Sequence, residues 1–224
     1  RSGSNFADTY TAVGFTSPFG PYNQFEGGAG NDLVTGNGST QVGYFNAQEA
    51  VTVNLATGIA VGGASSGTDT ILGGVNSANG SAFNDTLIGG SGADTYSFSS
   101  GWGNDLVDDQ RRGSEVGREV FTTGDDSAID VVQFDSTVQI DDLELTRVAD
   151  PAWGSENALQ IRNRSTNDTI IVRSFFDVET ADGSGTIEAI KFADGTTWDY
   201  AAINAHVFVP PPPPPILVEG TDGN

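Results

Sequence analysis

The sequence predicts an all-β chain in which short strands of a parallel roll alternate with glycine-rich turns, followed by an antiparallel, strand-rich region. Three observations carry that prediction. Glycine and asparagine are abundant, 30 and 15 of 224 residues, so the chain turns often. Apolar residues make up 37%, too few for a thick globular core. No segment sustains a 3.6-residue apolar period, while period-two alternation recurs along the whole length.

Taken in order, the elements repeat one form: a glycine-rich turn, an aspartate, then two or three residues with strand preference. Gly3–Tyr10 and Gly80–Leu87 are two such copies, and Gly27–Thr35 is a third. The stretch Gly89-Gly90-Ser91-Gly92-Ala93-Asp94-Thr95-Tyr96-Ser97 follows Gly80–Ile88 directly, which puts Asp85 and Asp94 nine residues apart and in register. Gly101-Trp102-Gly103-Asn104-Asp105-Leu106-Val107 continues the series, and Gly67-Thr68-Asp69-Thr70-Ile71-Leu72 is a weaker copy. After Asp32 the next turn reads Gly36-Asn37-Gly38-Ser39-Thr40-Gln41, with Gln41 read as the replacement of an aspartate. Val51–Val61 alternates around Gly58 and is expected to form a hairpin.

From Ile129 the glycine repeat stops. Longer strands are expected at Ile129–Phe134, Leu143–Val148, Ala158–Arg162, Thr169–Phe175 and Ile187–Phe192, with a tight hairpin at Asp194-Gly195 and one short helix at Tyr200–Ala205. Pro210–Pro215 form a stiff spacer of roughly 19 Å at about 3.1 Å per residue. The expected organisation is a repeat region over 1–128, a β-rich region over 129–206, a proline-rich linker over 207–217 and the start of a further array over 218–224.

Charge narrows the function. Carboxylates outnumber cations 30 to 9, for a net charge of −21, and 21 of the acids are aspartate. Nucleic acid as a partner would require lysine and arginine against phosphate, and an anionic membrane surface would require the same. No apolar run approaches the 18 residues of a membrane span. With no cysteine there are no disulfides, zinc-thiolate sites or cysteine nucleophiles. Methionine is also absent and the chain opens Arg1-Ser2-Gly3-Ser4, which reads as a piece of a longer or processed protein.

Aspartate beside glycine is the chemistry of a hard cation. Ca²⁺ takes six to eight oxygens at about 2.3–2.6 Å, from carboxylates, carbonyls and water. Glycines let a loop aim its carbonyls inward, and the aspartate adds charge. One turn supplies part of a shell, and a stacked turn supplies the rest. In the pattern Gly-Gly-x-Gly-x-Asp-x-U-x, the large apolar residue U (Val34 and Tyr96 in the two clean copies) points into the interior.

These nonapeptides resemble the repeats of RTX proteins, the haemolysin-type calcium-binding family. The stretch Ile140–Tyr200, with Asp141-Asp142-Leu143-Glu144-Leu145 and Ile187–Trp198, resembles the β-rich region that accompanies such arrays, and Phe25–Leu55 looks like modules of very large RTX surface proteins. The resemblance implies a secreted, extracellular protein of the type I secretion class that folds on calcium outside the cell. It also implies calcium at the turn aspartates Asp32, Asp85, Asp94 and Asp105, with carbonyls of the nearby glycines, namely Gly28, Gly30, Gly90, Gly92 and Gly103. Asp8 and Asp69 are candidates that lack an evident partner turn, and Asp108 with Asp109 is a candidate for closing the end of the roll.

The implied function is that of a calcium-binding structural module in an adhesin or surface-layer protein. Its partners would be calcium ions, neighbouring modules of the same chain, and cell-surface polymers or further copies. The alternatives are a carrier module of a secreted hydrolase and a glycan-binding module. No catalytic constellation stands out. His206 is the sole histidine and sits beside the spacer, Asp125-Asp126 and Asp141-Asp142 read as solvated loops, and Asp150-Pro151 is a common dipeptide. Tyr22, Trp102 and Trp153 read as packing residues rather than a sugar platform.

Overall fold

The computed structural model describes residues 2–12, 23–90, 92–109, 112–115, 118–121, 128–152, 154–176 and 187–208. Its strands fall into two main sheets, of ten and seven strands. The chain alternates between them. β1 (Thr9–Thr11) lies in the larger sheet, β2 (Asn23–Phe25) in the smaller, β3 (Leu33–Thr35) in the larger and β4 (Thr40–Gly43) in the smaller. The hairpin β5 (Thr52–Asn54) and β6 (Ile59–Val61), with β7 (Thr68–Ile71), stays in the larger sheet. Then β8 (Ser77–Asn79) is in the smaller, β9 (Thr86–Ile88) in the larger, β10 (Thr95–Phe98) in the smaller and β11 (Asn104–Asp108) in the larger. β12 (Arg112–Glu115) and β13 (Arg118–Phe121) form a separate antiparallel hairpin.

The later strands join the same sheets. β14 (Val131–Phe134) extends the smaller one, and the antiparallel run β15 (Leu143–Val148), β16 (Ala158–Asn163) and β17 (Thr169–Val172) extends the larger. β18 (Ala189–Lys191) and β19 (Thr197–Asp199) pair as a hairpin at the end of the smaller sheet, and helix α1 (Tyr200–His206) follows. The Asp199 carboxylate accepts the Ala202 N–H and caps that helix. Strand order is β1-β3-β7-β6-β5-β9-β11-β17-β16-β15 in one sheet and β19-β18-β14-β10-β8-β4-β2 in the other. Both therefore run without a break across residue 128. The spacer Pro210–Pro215, the residues after it, Tyr22, Trp153 and Asp125-Asp126 lie outside the described residues.

The sheets face each other through alternate side chains. Val34, Val53, Leu87, Val107 and Ile170 come from the larger sheet, and Val42, Ala78, Tyr96, Val132 and Ile190 from the smaller; all are buried in one core. Each is the middle or an inward residue of a three- to five-residue strand; the three-residue strands give one apolar side chain, while longer ones such as β10 (Tyr96, Phe98), β14 (Val132, Phe134) and β17 (Ile170, Val172) give two. Aromatics thicken the C-terminal half, where Phe134 stacks on Phe192 with ring centroids 5.8 Å apart and Trp102 lies 5.4 Å from Phe134. Trp102 is thus a core residue, as its sequence context suggested.

Candidate cation rows at the strand starts

The parallel register lines up the residue two before each inward apolar side chain. In the larger sheet Asp8, Asp32 and Asp69 stand in a row, because Thr9 pairs with Leu33 and Leu33 with Thr70. A second row runs Val51, Asp85, Asp105, set by Thr52–Thr86 and Thr86–Leu106. In the smaller sheet the row is Asn23, Thr40, Asn76, Asp94, Asp130, Glu188.

One bond recurs along these rows. At seven of the steps a side-chain oxygen accepts the backbone N–H of the member before it, while the N–H groups of Asn23 and Asn76 go to the Ser39 and Thr40 carbonyls instead. Asp32 Oδ1 accepts from Asp8 at 2.8 Å, Asp69 Oδ1 from Asp32 at 2.8 Å, Asp85 Oδ1 from Val51 at 2.7 Å and Asp105 Oδ1 from Asp85 at 2.9 Å. On the other sheet Asn76 Oδ1 accepts from Thr40 at 3.1 Å, Asp130 Oδ1 from Asp94 at 2.7 Å and Glu188 Oε2 from Asp130 at 2.6 Å. A carboxylate has two oxygens, and this bond uses one. The second oxygen faces the glycine turn of its own strand: a Cβ on Gly27 would lie 1.8 Å from Asp32 Oδ2, and one on Gly80 would lie 2.2 Å from Asp85 Oδ2. The first glycine of the repeat is therefore a requirement of space beside the carboxylate.

Burial makes these carboxylates costly as anions. Asp32, Asp69, Asp85, Asp94, Asp105 and Asp130 are all buried. Desolvation raises the Asp32 and Asp85 carboxyls above their ordinary value, and takes Asp69 up to about 6 and Asp105 up to about 8. Asp32 Oδ2 and Asp105 Oδ2 are buried with no hydrogen-bond partner among the described residues. A buried carboxylate oxygen left without a donor demands an explanation, and a cation is one that oxygen-only donors fit.

Two places have the most to offer. At the first, ligand oxygens of Asp94, Asp109 and Asp130 all lie within 4.8 Å of one another and all three residues are buried. The Tyr96 hydroxyl donates to Asp109 Oδ1. Burial, and the Asp130 carboxylate beside it, push the Asp109 carboxyl well above its ordinary value. At the second, a cavity of about 140 Å³ lies between Gly80–Ala82 and Ser99–Trp102 and is lined by Asp105 and Asn79.

Several residues singled out in the sequence fall differently from expectation. Asp85 and Asp94, nine apart, lie on opposite sheets; Asp85 is stacked with Asp105, and Asp94 with Asp130. Asp8 and Asp69 do have partners, both through Asp32. Thr40, rather than Gln41, occupies the row, so the neutral replacement is one residue earlier than the sequence suggested. Asp108 meets the Arg173 guanidinium, whose Nε lies 3.4 Å from Asp150, in a buried ion triad. Gly28, Gly30, Gly90, Gly92 and Gly103 all have positive φ and sit in the turns before the row residues. Asp141 and Asp142 form a short 3₁₀ turn, and His206 stacks on Trp198 at 4.0 Å. Asp130, Glu188, Asn76 and Asn79 were not singled out; an acid or amide two residues before a core side chain, as in Asp130-Val131-Val132 and Glu188-Ala189-Ile190, is the signal that finds the first three.

Residues 159–202, from β16 to the start of α1, match the model of the haemolysin-type calcium binding protein related domain. No curated protein matches the chain. The match ties the C-terminal strands to a calcium-binding relation of the RTX kind, and among the described residues no helix is long and apolar enough to cross a membrane.

Proposed function

We propose that the chain is a non-catalytic, calcium-stabilised structural module of a secreted bacterial RTX protein, folding on Ca²⁺ outside the cell and serving in a large adhesin or surface-layer assembly. The observation that carries the reading is the set of buried carboxylate rows whose second oxygens, at Asp32 and Asp105, have no donor among the described residues. Asp8, Asp32, Asp69, Asp85, Asp94, Asp105, Asp109 and Asp130 would supply carboxylates, and the turn glycines Gly28, Gly30, Gly90, Gly92 and Gly103 would supply carbonyls. A bound cation offsets the desolvation of several acids at once, which a chain of net charge −21 and no disulfide needs.

Extracellular modules bind calcium with dissociation constants of about 10⁻⁴–10⁻³ M, so such rows fill outside the cell and empty in cytosol. At calcium roughly tenfold above that constant each site adds about 1.4 kcal/mol. A few sites then account for a large part of a stability of about 5–15 kcal/mol. The test is a thermal melt by circular dichroism with calcium and with EDTA. The transition is expected to rise steeply with calcium, and the same melting temperature in both buffers would reject the proposal.

A further inference from the structure

The two sheets differ on their outer faces. In the smaller sheet one rank of residues that alternate with the core side chains, Gln41, Ser77, Val131 and Ala189, is buried, so that rank is covered. In the larger sheet the outward residues of β1, β3, β7, β6, β5, β9, β11 and β17 are exposed or half-buried, Asp108 apart. They are threonines, asparagines and aliphatic residues. The one acid on this side, Asp108, is closed off in its ion pair with Arg173. Strand register brings the others into ranks, one of which runs Thr68, Val61, Thr52, Thr86, Leu106, Ile171.

On a chain of net charge −21, neighbouring strands of one sheet thus put no accessible charge on their outer side. Near the middle of that face Ile59 and Val61 are 44% and 46% exposed, which holds apolar surface in water. A charged polymer finds nothing to pair with here, and no outward side chain is aromatic, so a sugar ring has nothing to stack on. A surface ribbed at about 4.8 Å fits another β-sheet face, whose ribs have the same spacing when it packs about 10 Å away. A second copy carries such a face, and a two-fold axis matches the patch with itself. Over the rest of their surfaces two copies at −21 repel, whereas this contact brings no like charges together.

We infer that the outer face of the larger sheet is a self-association surface, on which a second copy lays the same face with β6 and β5 at the two-fold axis. Seven strand spacings and two outward residues per strand give a patch of about 34 Å by 10 Å. That is on the order of 350 Å² per copy, below the roughly 800 Å² of a standard interface. The contact is therefore weak between two free units and adds up where units are tethered side by side. The inference uses the fold alone and stands or falls separately from the calcium reading.

Sedimentation equilibrium of the full chain in calcium tests it, at concentrations up to about 1 mM, where even a millimolar contact fills substantially. The average mass should rise with concentration toward that of two copies. Added salt should strengthen the association, because it screens the repulsion and the contact itself is uncharged. Val61→Glu and Val61→Lys each set like charges face to face across the axis, and both should return the protein to monomer. Phe45→Glu, at an exposed ring beside Gly43 of the smaller sheet, should leave association unchanged. A parent that stays monomeric throughout overturns the inference, as does association that salt weakens, that Val61→Lys strengthens, or that Phe45→Glu abolishes. Should Val61→Glu fail to fold, Thr52→Glu on the same rank takes its place.

Discussion

Asp105→Asn separates the cost of a buried carboxylate from its use. Burial takes the Asp105 carboxyl from 3.8 to about 8 in the fold. A raised folded pKa means that the stabilising, protonated form is fully present below the unfolded value and is lost as pH rises through about 8. At about 1.4 kcal/mol per unit, a rise of roughly four units costs the cation-free protein about 5 kcal/mol at pH 8 and above. Asparagine carries no charge and retains the Oδ1 acceptor for the Asp85 N–H, so it removes that cost while leaving the row bond intact. In EDTA at pH 8 the variant should therefore melt higher than the parent. A domain of this size moves about 2–4 °C per kcal/mol, which gives an increase on the order of 10 °C. In calcium at tenfold excess the variant's advantage should shrink, because the variant loses a ligand and with it up to about 1.4 kcal/mol of the roughly 5 kcal/mol gained. Paired melts at pH 5 and pH 8, each with EDTA and with calcium, read both effects. The parent in EDTA should be more stable at pH 5, and calcium should narrow that gap. A variant no more stable than the parent in EDTA at pH 8 would refute the account of the row carboxylates as destabilising until a cation arrives.

Three further outcomes are expected. Arg173→Met leaves Asp108 and Asp150 buried without their guanidinium and should lose about 3–5 kcal/mol in a urea melt, with calcium failing to restore it. A double-mutant cycle on Asp94→Asn and Asp130→Asn should show coupling of about 0.5–3 kcal/mol in calcium, whereas Asp94→Asn with Asp85→Asn should be additive, since those two stand on opposite sheets. If Pro210–Pro215 separates independent units, truncation after Phe208 should leave the melting temperature and calcium stoichiometry unchanged. The cut belongs after Phe208 because the Phe208 N–H donates to the Leu145 carbonyl at 2.8 Å and so ties the segment to β15.

Much of the local structure was legible because it is encoded locally. The alternation at Val51–Val61 gives the β5–β6 hairpin, Leu143–Val148 is β15 to the residue, and Asp194-Gly195 turns the chain into β19. The strand expected over Thr169–Phe175 stops at Val172, since Arg173 turns to its ion partners and Ser174 takes φ of +50°. The rows were not legible from the nine-residue period. Consecutive repeats go to different sheets, so spatial neighbours are 20 residues apart at Asp85–Asp105 and 36 at Asp94–Asp130. Asp130 follows no glycine run, and Gly183-Ser184-Gly185 precedes Glu188 out of the repeat's spacing, so their spacing to Val132 and Ile190 is the clearer signal. The Asp108–Arg173 pair was not legible either, because the two residues are 65 apart in the chain.

The row bond asks only that two strands lie side by side in register, and it is indifferent to what the chain does between them. From Asp32 to Asp69 the excursion includes a strand of the other sheet and a hairpin, and from Asp94 to Asp130 it includes β11 and the β12–β13 hairpin. A fold built this way accommodates a long excursion between two paired strands without breaking a rung, as both of these do. The same property recommends the β12–β13 excursion as a graft point for a foreign hairpin.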